Sequence, residues 1–387
     1  MILTTVITFI IIFGLLIFLH ELGHFVTARK FGVRVDEFGF GLPPRMIGWH
    51  RMAGRWKRFV KGEKAEGTVY SLNWIPFGGF VRLFGEDGSG EGEPDSFSAK
   101  GKLPRAVILT AGVAMNALFT VLLLGAGFMA GTPSVIDEQP SPRATVRDVR
   151  VRVVEVIEGS PAAAAGIAVG DTLHALDGAP VSSIRDFQER VQARAREALT
   201  LQIIHEDGAT KDLNVRAETI PEGGGKAIIG VGLIRTGVVS YPWYWALPEG
   251  VRATGELARS LLKGFGHLFK NLVTTGRTDA TVSGPVGIAV LTGQVVHLGF
   301  IYILQFAATL SLNLAILNYI PFPALDGGRV LFILIEALRG KAVSKKFEAA
   351  MHTVGFALLI TLIVFITYKD IARYGAGIFT AIRNVFT

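Results

Sequence analysis

The sequence predicts an α-helical polytopic membrane protein with four transmembrane helices and an inserted extracytoplasmic α+β domain. Three observations predict it. Half of the 387 residues are AVILMFWYC and 18% are charged, which is too apolar for an ordinary soluble enzyme and too charged for membrane spans alone. Four segments reach the roughly 20 apolar residues needed to cross a bilayer. Between the second and third lies a stretch of different material, where β-rich runs alternate with turn signals and one helical run. The chain has no cysteine, so disulfides and thiolate metal sites are excluded.

Residues 1–30 are the first span. "MILTTVITFIIIFGLLIFL" has no basic leader and no small-residue cleavage site, so it reads as a retained helix rather than a removable signal. Residues 31–104 form a loop, and from Arg29 to Arg105 there are fourteen Lys/Arg against nine Asp/Glu. The second span, 105–131, is rich in Gly and Ala, which let helices pack closely in lipid. Residues 150–219 are the inserted domain, with a helix from Ile184 to about Ala198. Residues 241–275 carry Leu257, Leu261, Leu262, Phe265, Leu268, Phe269 and Leu272 at helical spacing beside Trp243, Tyr244 and Trp245. They predict an amphipathic helix on the membrane surface; the alternative is a helix packed on the inserted domain. The third segment, 298–338, is interrupted by Pro321, Pro323, Gly327 and Gly328. A basic loop with Arg339, Lys341, Lys345 and Lys346 leads to the fourth span, 350–370, and a C-terminal tail, 371–387. "GEDGSGEGEP", 85–94, reads as a flexible surface loop. Lys and Arg favour cytoplasmic loops. Both basic loops are then cytoplasmic, and the inserted domain and both termini lie outside. The net charge of +7 is accounted for by this topology, with no nucleic-acid partner required.

The chemistry begins in "GLLIFLHELGHFVTARKFG", residues 14–32. His20, Glu21 and His24 form H-E-x-x-H. Residues four apart share a helix face, so two imidazoles can hold one zinc ion with the glutamate beside them as a base. Three ionisable residues within one turn of a span are costly and mark a functional site. If Arg29 and Lys30 mark the cytoplasmic interface, His24 lies about 7.5 Å inward at 1.5 Å per residue. A catalytic zinc takes three protein ligands and one open position. His50, His174, His205, His267 and His297 are not clearly at membrane depth, and His352 only borders the fourth span. Leu-Asp-Gly occurs twice. Asp177 falls in the inserted domain, where Asp-Gly is an ordinary turn. Asp326 is embedded in "NYIPFPALDGGRVLF", where prolines and glycines break the helix. Broken backbone at membrane depth is tolerated when it is buried in protein or lines a wet cavity. Asp326 is the expected third ligand.

H-E-L-G-H in a first span, with N-x-x-P-x-P-A-L-D-G-G in a later one, resembles the site-2 protease family of intramembrane zinc metalloproteases. The likeness is to its bacterial regulator-of-sigma-E protease-like branch, which activates extracytoplasmic sigma factors. "GSPAAAAGIAVGDTLHALDGAPV" resembles a PDZ domain, a single one, at the place where that branch carries such insertions. "PFGGFVRLFGED" (76–87) and "SGPVGIAVL" (283–291) are similar to further elements of the family. The resemblance implies His20, His24 and Asp326 on one zinc ion, with Glu21 as catalytic base. It implies Asn313 and Asn318 near substrate or oxyanion; the alternative is hydrogen bonding between helices. Gly78, Gly79 and Phe80 lie in a segment expected to clamp an unwound substrate by strand addition, or else to form a hairpin stabilising the loop.

The expected function is hydrolysis of peptide bonds within transmembrane segments of single-pass membrane proteins, such as anti-sigma factors or signal-peptide remnants, in the bacterial cytoplasmic (inner) membrane. The partners are those substrates, the lipid bilayer, and a peptide or C-terminus in the PDZ groove. Two other classes fit parts of the pattern: an inactive PDZ membrane adaptor, and a divalent-metal transporter with broken helices.

Overall fold

In chain order the elements are α1 (Ile2–Lys30), β1 (Val35–Met52), β2 (Arg55–Arg58), β3 (Val69–Leu83), α2 (Lys102–Ala130), β4 (Thr132–Val135), β5 (Thr145–Val156), α3 (Pro161–Ala164), β6 (Thr172–Leu176), β7 (Ala179–Pro180), α4 (Ile184–Ala193), β8 (Ala198–Ile204) and β9 (Thr210–Arg216). They continue with β10 (Glu218–Thr219), β11 (Ala227–Ile228), β12 (Val231–Ser240), α5 (Trp243–Thr275), α6 (Pro285–Leu298), α7 (Phe300–Tyr319), α8 (Asp326–Arg339) and α9 (Lys345–Phe386). The computed structural model describes residues 2–386 except 53, 61–64, 66, 87, 89, 91, 137–140, 196, 206–207, 220–226, 277–282 and 342, and leaves out the side chains of 77 and 376–386. Two compact units result, 1–125 with 250–387, and 126–249.

In the first unit, α1, α2, α7 and the Lys345–Gly375 part of α9 are each long and apolar enough to cross a membrane. The 29 residues of α1 extend about 44 Å at 1.5 Å per residue, more than a hydrocarbon core of about 30 Å. This helix stops where Gly32 turns left-handed at φ +68°, with Arg29 and Lys30 in its last turn. α1 and α2 approach closely because Gly23 leaves no room for a side chain: a Cβ there would strike the Ala111 carbonyl. Leu16, 1% exposed, and Ile12 pack with Ala307 of α7. At the other end Phe25, Ala28, Val35, Phe38, Ile108 and Ile333 join α1, β1, α2 and α8 in one apolar cluster.

β1, β2 and β3 form one sheet in the order β2-β1-β3, with β2 paired to residues 49–52 of β1. Residues 70–72 of β3 pair with two stretches of β1 and are internal, whereas 79–83 pair with 35–40 alone and form the outer run. Of the 85–94 stretch expected as a flexible loop, the described part is tethered, because Glu86 pairs with Arg329 of α8.

The interruption expected in the third segment separates two helices, α7 and α8. It spans residues 320–325, and Asp326 begins α8. The cause is local: Pro321 and Pro323 supply no amide hydrogen, and Ala324 takes φ +78°. α8 is held at its other end too, where Glu336 meets Arg105 Nη1 at 3.2 Å and its carbonyl accepts from Lys102 Nζ at 3.2 Å. "SGPVG" opens the short apolar helix α6. Asp370 Oδ2 accepts from the Gly287 amide at 2.7 Å, and side chains at Gly284 or Gly287 would run into that carboxylate. A carboxylate also suits the positive end of a helix dipole. The expected tail beyond 370 is helical instead, as α9 continues to Phe386. The 241–275 stretch is helical as α5, with Trp243, Tyr244, Leu262 and Phe269 exposed.

The second unit is built on one sheet of order β4-β12-β5-β6-β8-β9, with β7 added to β6. β12 lies beyond the boundary expected at 219; it pairs along β5 from Val231↔Val156 to Ser240↔Thr145. Val151, Leu173, Leu199, Leu201, Ile203 and Phe187 form the core, the alternate positions of β8 falling on one face as a period of two requires. α4 starts at Ser183, whose hydroxyl accepts from the Asp186 amide at 3.4 Å. Such caps contribute about 1 kcal/mol. α4 ends at Ala193, short of the expected Ala198.

Candidate metal centre

His20 and His24 stand one turn apart on α1 and are both 5% exposed. Their Nε2 atoms are 3.2 Å apart. Asp326, 306 residues from His20, places Oδ2 at 3.0 Å from His20 Nε2 and 3.3 Å from His24 Nε2. These three form the one group of at least three His, Asp or Glu among the described residues able to share a metal ion.

With the His24 ring neutral, protons alone leave a repulsive contact in this triangle. His24 Nδ1 lies 2.8 Å from the Ile108 carbonyl, which can only accept, so the proton of a neutral ring sits on Nδ1. The lone pair of Nε2 then faces the carboxylate oxygen. A cation between them removes that repulsion. Zinc bonds of about 2.0–2.1 Å at tetrahedral angles put ligand atoms about 3.3 Å apart, close to the three separations found. Two imidazoles and a carboxylate are a donor set zinc accepts. Space is provided by α2: a Cβ at Gly112 would overlap His24 Nε2 and the edge of the His20 ring.

The turn that carries Asp326 is shaped from behind. Ala324 donates its amide to His352 Nδ1 at 2.8 Å, so His352 of α9 supports the loop rather than binding with the other imidazoles. Gly327 and Gly328 press against the Tyr319 and Phe322 carbonyls, where side chains would collide. This is why two glycines must follow the aspartate.

Glu21 sits on the same turn of α1. Its Oε2 accepts from the Val81 amide of β3 at 3.1 Å, so this edge of β3 faces the His20–His24 turn. Gly78, at φ +79°, lies against Ile17, and Gly79 lies against the Gly39 carbonyl and Phe18. These glycines let strand and helix approach. The Phe80 ring borders Gly39.

Asn318 reaches the centre, with Nδ2 3.4 Å from His20 Nε2. Asn313 makes no such hydrogen bond among the described residues, and its Oδ1 is buried without a partner. Five residues at 100° each turn the two amides about 140° apart on α7. Of the other histidines, His50 is buried against Phe59, and His205 pairs with Asp171 in the second unit at 2.6 Å. Asp177 accepts from the Thr200 amide, as a turn aspartate would. Gly112, Asn116 and His352 are site neighbours that no motif singled out. Asn116 did carry a signal, as an amide within an apolar span.

A membrane-type helical scaffold whose first and third apolar segments bring two imidazoles, a carboxylate and an adjacent glutamate together defines a metallopeptidase of the site-2 type. The profile of Peptidase family M50 matches residues 8–362, and the chain belongs to that family. It is 29% identical to "Zinc metalloprotease RasP" of Geobacillus kaustophilus over 96% of this chain and 99% of that protein. It is 28% identical to "Regulator of sigma-W protease RasP" of Bacillus subtilis over 96% and 99%. Among solved structures, the PDZ domain of an SdrC-like protein from Listeria monocytogenes overlaps 21% of this chain and 85% of its own length, at 21% identity and a TM-score of 0.20.

Proposed function

We propose that the protein is an intramembrane endopeptidase that holds one zinc ion on His20, His24 and Asp326 and cuts peptide bonds within transmembrane segments of single-pass membrane proteins. The convergence of three donor atoms at 3.0–3.3 Å beside Glu21 carries the reading. When bound there, zinc supplies Lewis acidity toward a scissile carbonyl and toward a nucleophilic water. The remaining chemistry belongs to the chain. Glu21 takes the proton of the attacking water and returns it to the departing amine, while the Val81 amide fixes the orientation of its carboxylate. Asn318 donates from Nδ2 to the oxygen that gains charge as the carbonyl is attacked. A helical substrate shields its own peptide bonds, so it must unwind first. The edge of β3 facing Glu21 offers main-chain partners to an extended segment, with Gly78, Gly79 and Phe80 along the track.

The basic loops around β1–β3 and after Arg339 support a centre near the cytoplasmic face of a bacterial inner membrane, with 126–249 and both termini outside. Anti-sigma factors are the favoured substrates, in keeping with the sigma-W relative; signal-peptide remnants share the same chemistry. In the outer unit, Phe187, Val191, Ile229, Val231 and Leu233 line a hollow beside α4 suited to a peptide or a free C-terminus.

The test is Glu21→Gln in the purified chain with a model single-pass substrate. Bound zinc is expected to remain while cleavage falls by about 10²–10⁴. Cleavage at the wild-type rate would remove Glu21 from the mechanism.

A further inference from the structure

We infer that Asn116 is a positioning residue for the metal centre: its carboxamide selects the tautomer of His20 and so presents the Nε2 lone pair to the cation. The inference rests on the reading of His20, His24 and Asp326 as ligands.

Asn116 is 0% exposed in the middle of α2. Its backbone is fixed, with its carbonyl accepting from Ser311 Oγ of α7 at 2.9 Å and from Thr120 Oγ at 3.0 Å. Its side chain faces His20, with Nδ2 3.4 Å from Nδ1 of the ring. The other end of the amide, Oδ1, is buried with no hydrogen-bond partner among the described residues.

The two imidazoles are therefore served differently. His24 Nδ1 faces the Ile108 carbonyl, an acceptor that forces its proton onto Nδ1. His20 Nδ1 faces an amide, which can donate or accept according to the end presented. With Nδ2 toward the ring, Nδ1 must be the acceptor, and the ring proton lies on Nε2, directed at the centre. With Oδ1 toward the ring, Nδ1 carries the proton, Nε2 is free to bind, and the orphaned oxygen gains its partner. The two ends of a carboxamide have nearly the same shape, so the exchange needs only a half-turn about the last side-chain bond. Groups that hold the second nitrogen of a ligating histidine fix its tautomer and raise its basicity, and their loss typically weakens metal binding by about 10–100-fold.

The test measures zinc affinity of the full chain in detergent by competition with a chromophoric chelator. Asn116→Leu, similar in size and without polar atoms, is expected to weaken binding about 10–100-fold. Asn116→Ala, which removes the amide without adding bulk, is expected to do the same. Asn116→Asp keeps an acceptor for the Nδ1 proton and should stay close to wild type. Ser311→Ala removes a hydrogen bond to the same residue without touching the ring and should also stay close. Wild-type affinity in both the leucine and alanine variants overturns the inference. So does an aspartate or Ser311→Ala variant as weak as Asn116→Leu. Zinc binding that survives His20→Ala together with His24→Ala instead overturns the ligand assignment itself, whatever Asn116 does.

Discussion

A single hydrogen atom at Gly112 keeps the centre open. The imidazoles of His20 and His24 lie where any larger side chain on α2 would stand. Gly112→Ala is therefore expected to lose stoichiometric zinc, read by elemental analysis of the purified chain, at a packing cost of about 1–3 kcal/mol. Full zinc occupancy in that variant would mean that the rings do not rest against α2. The glycines after Asp326 work in the same way, giving way to the carbonyls of Tyr319 and Phe322 rather than serving flexibility. Glu21 is held by an amide of β3, so its carboxylate is oriented before substrate arrives.

At the scale of elements, the decisive piece is the short break between α7 and α8. It begins a new helix at Asp326, and the positive dipole end favours a carboxylate there. Three tethers hold it: His352 on the Ala324 amide, Glu86 on Arg329, and Arg105 on Glu336. His352→Ala leaves the Ala324 amide unpaired, a loss of about 1–3 kcal/mol when buried. The expected result is weaker zinc binding, about tenfold, with a lowered melting temperature. His352→Asn keeps an acceptor at similar reach and should recover part of both. If the alanine variant binds zinc as tightly as wild type, the loop is held by its prolines and glycines alone.

At the scale of the whole molecule, the proposed topology is open to a direct measurement, because the chain contains no cysteine. Lys57 in β2 and Lys211 in β9 are both exposed. A membrane-impermeant maleimide should label Lys211→Cys on intact spheroplasts and Lys57→Cys only after permeabilisation. The reverse pattern would invert the orientation drawn from the basic loops. The exposed apolar faces of α1, α2, α7 and α9 suit lipid as their solvent, where burial in protein is not needed to hide them.

The sequence by itself determined the four apolar helices, the pairing of H-E-x-x-H with a distant Asp326, and the break that carries that aspartate. Each is written locally, in apolar run length, helical spacing and proline or glycine chemistry. Boundaries were less legible. β12 belongs to the sheet of the inserted unit because it pairs with β5 across a turn-rich gap, which no local pattern announces. The helical continuation past residue 370 was hidden by its mixed composition. The five-residue spacing already put Asn313 and Asn318 on different faces of α7, and packing decided that Asn318 is the one that meets His20. The roles of Gly112, Asn116 and His352 became visible only when α1, α2, α8 and α9 were packed together. Their roles depend on which atom meets which ring nitrogen or amide, and such contacts are fixed by tertiary packing between residues far apart in the chain.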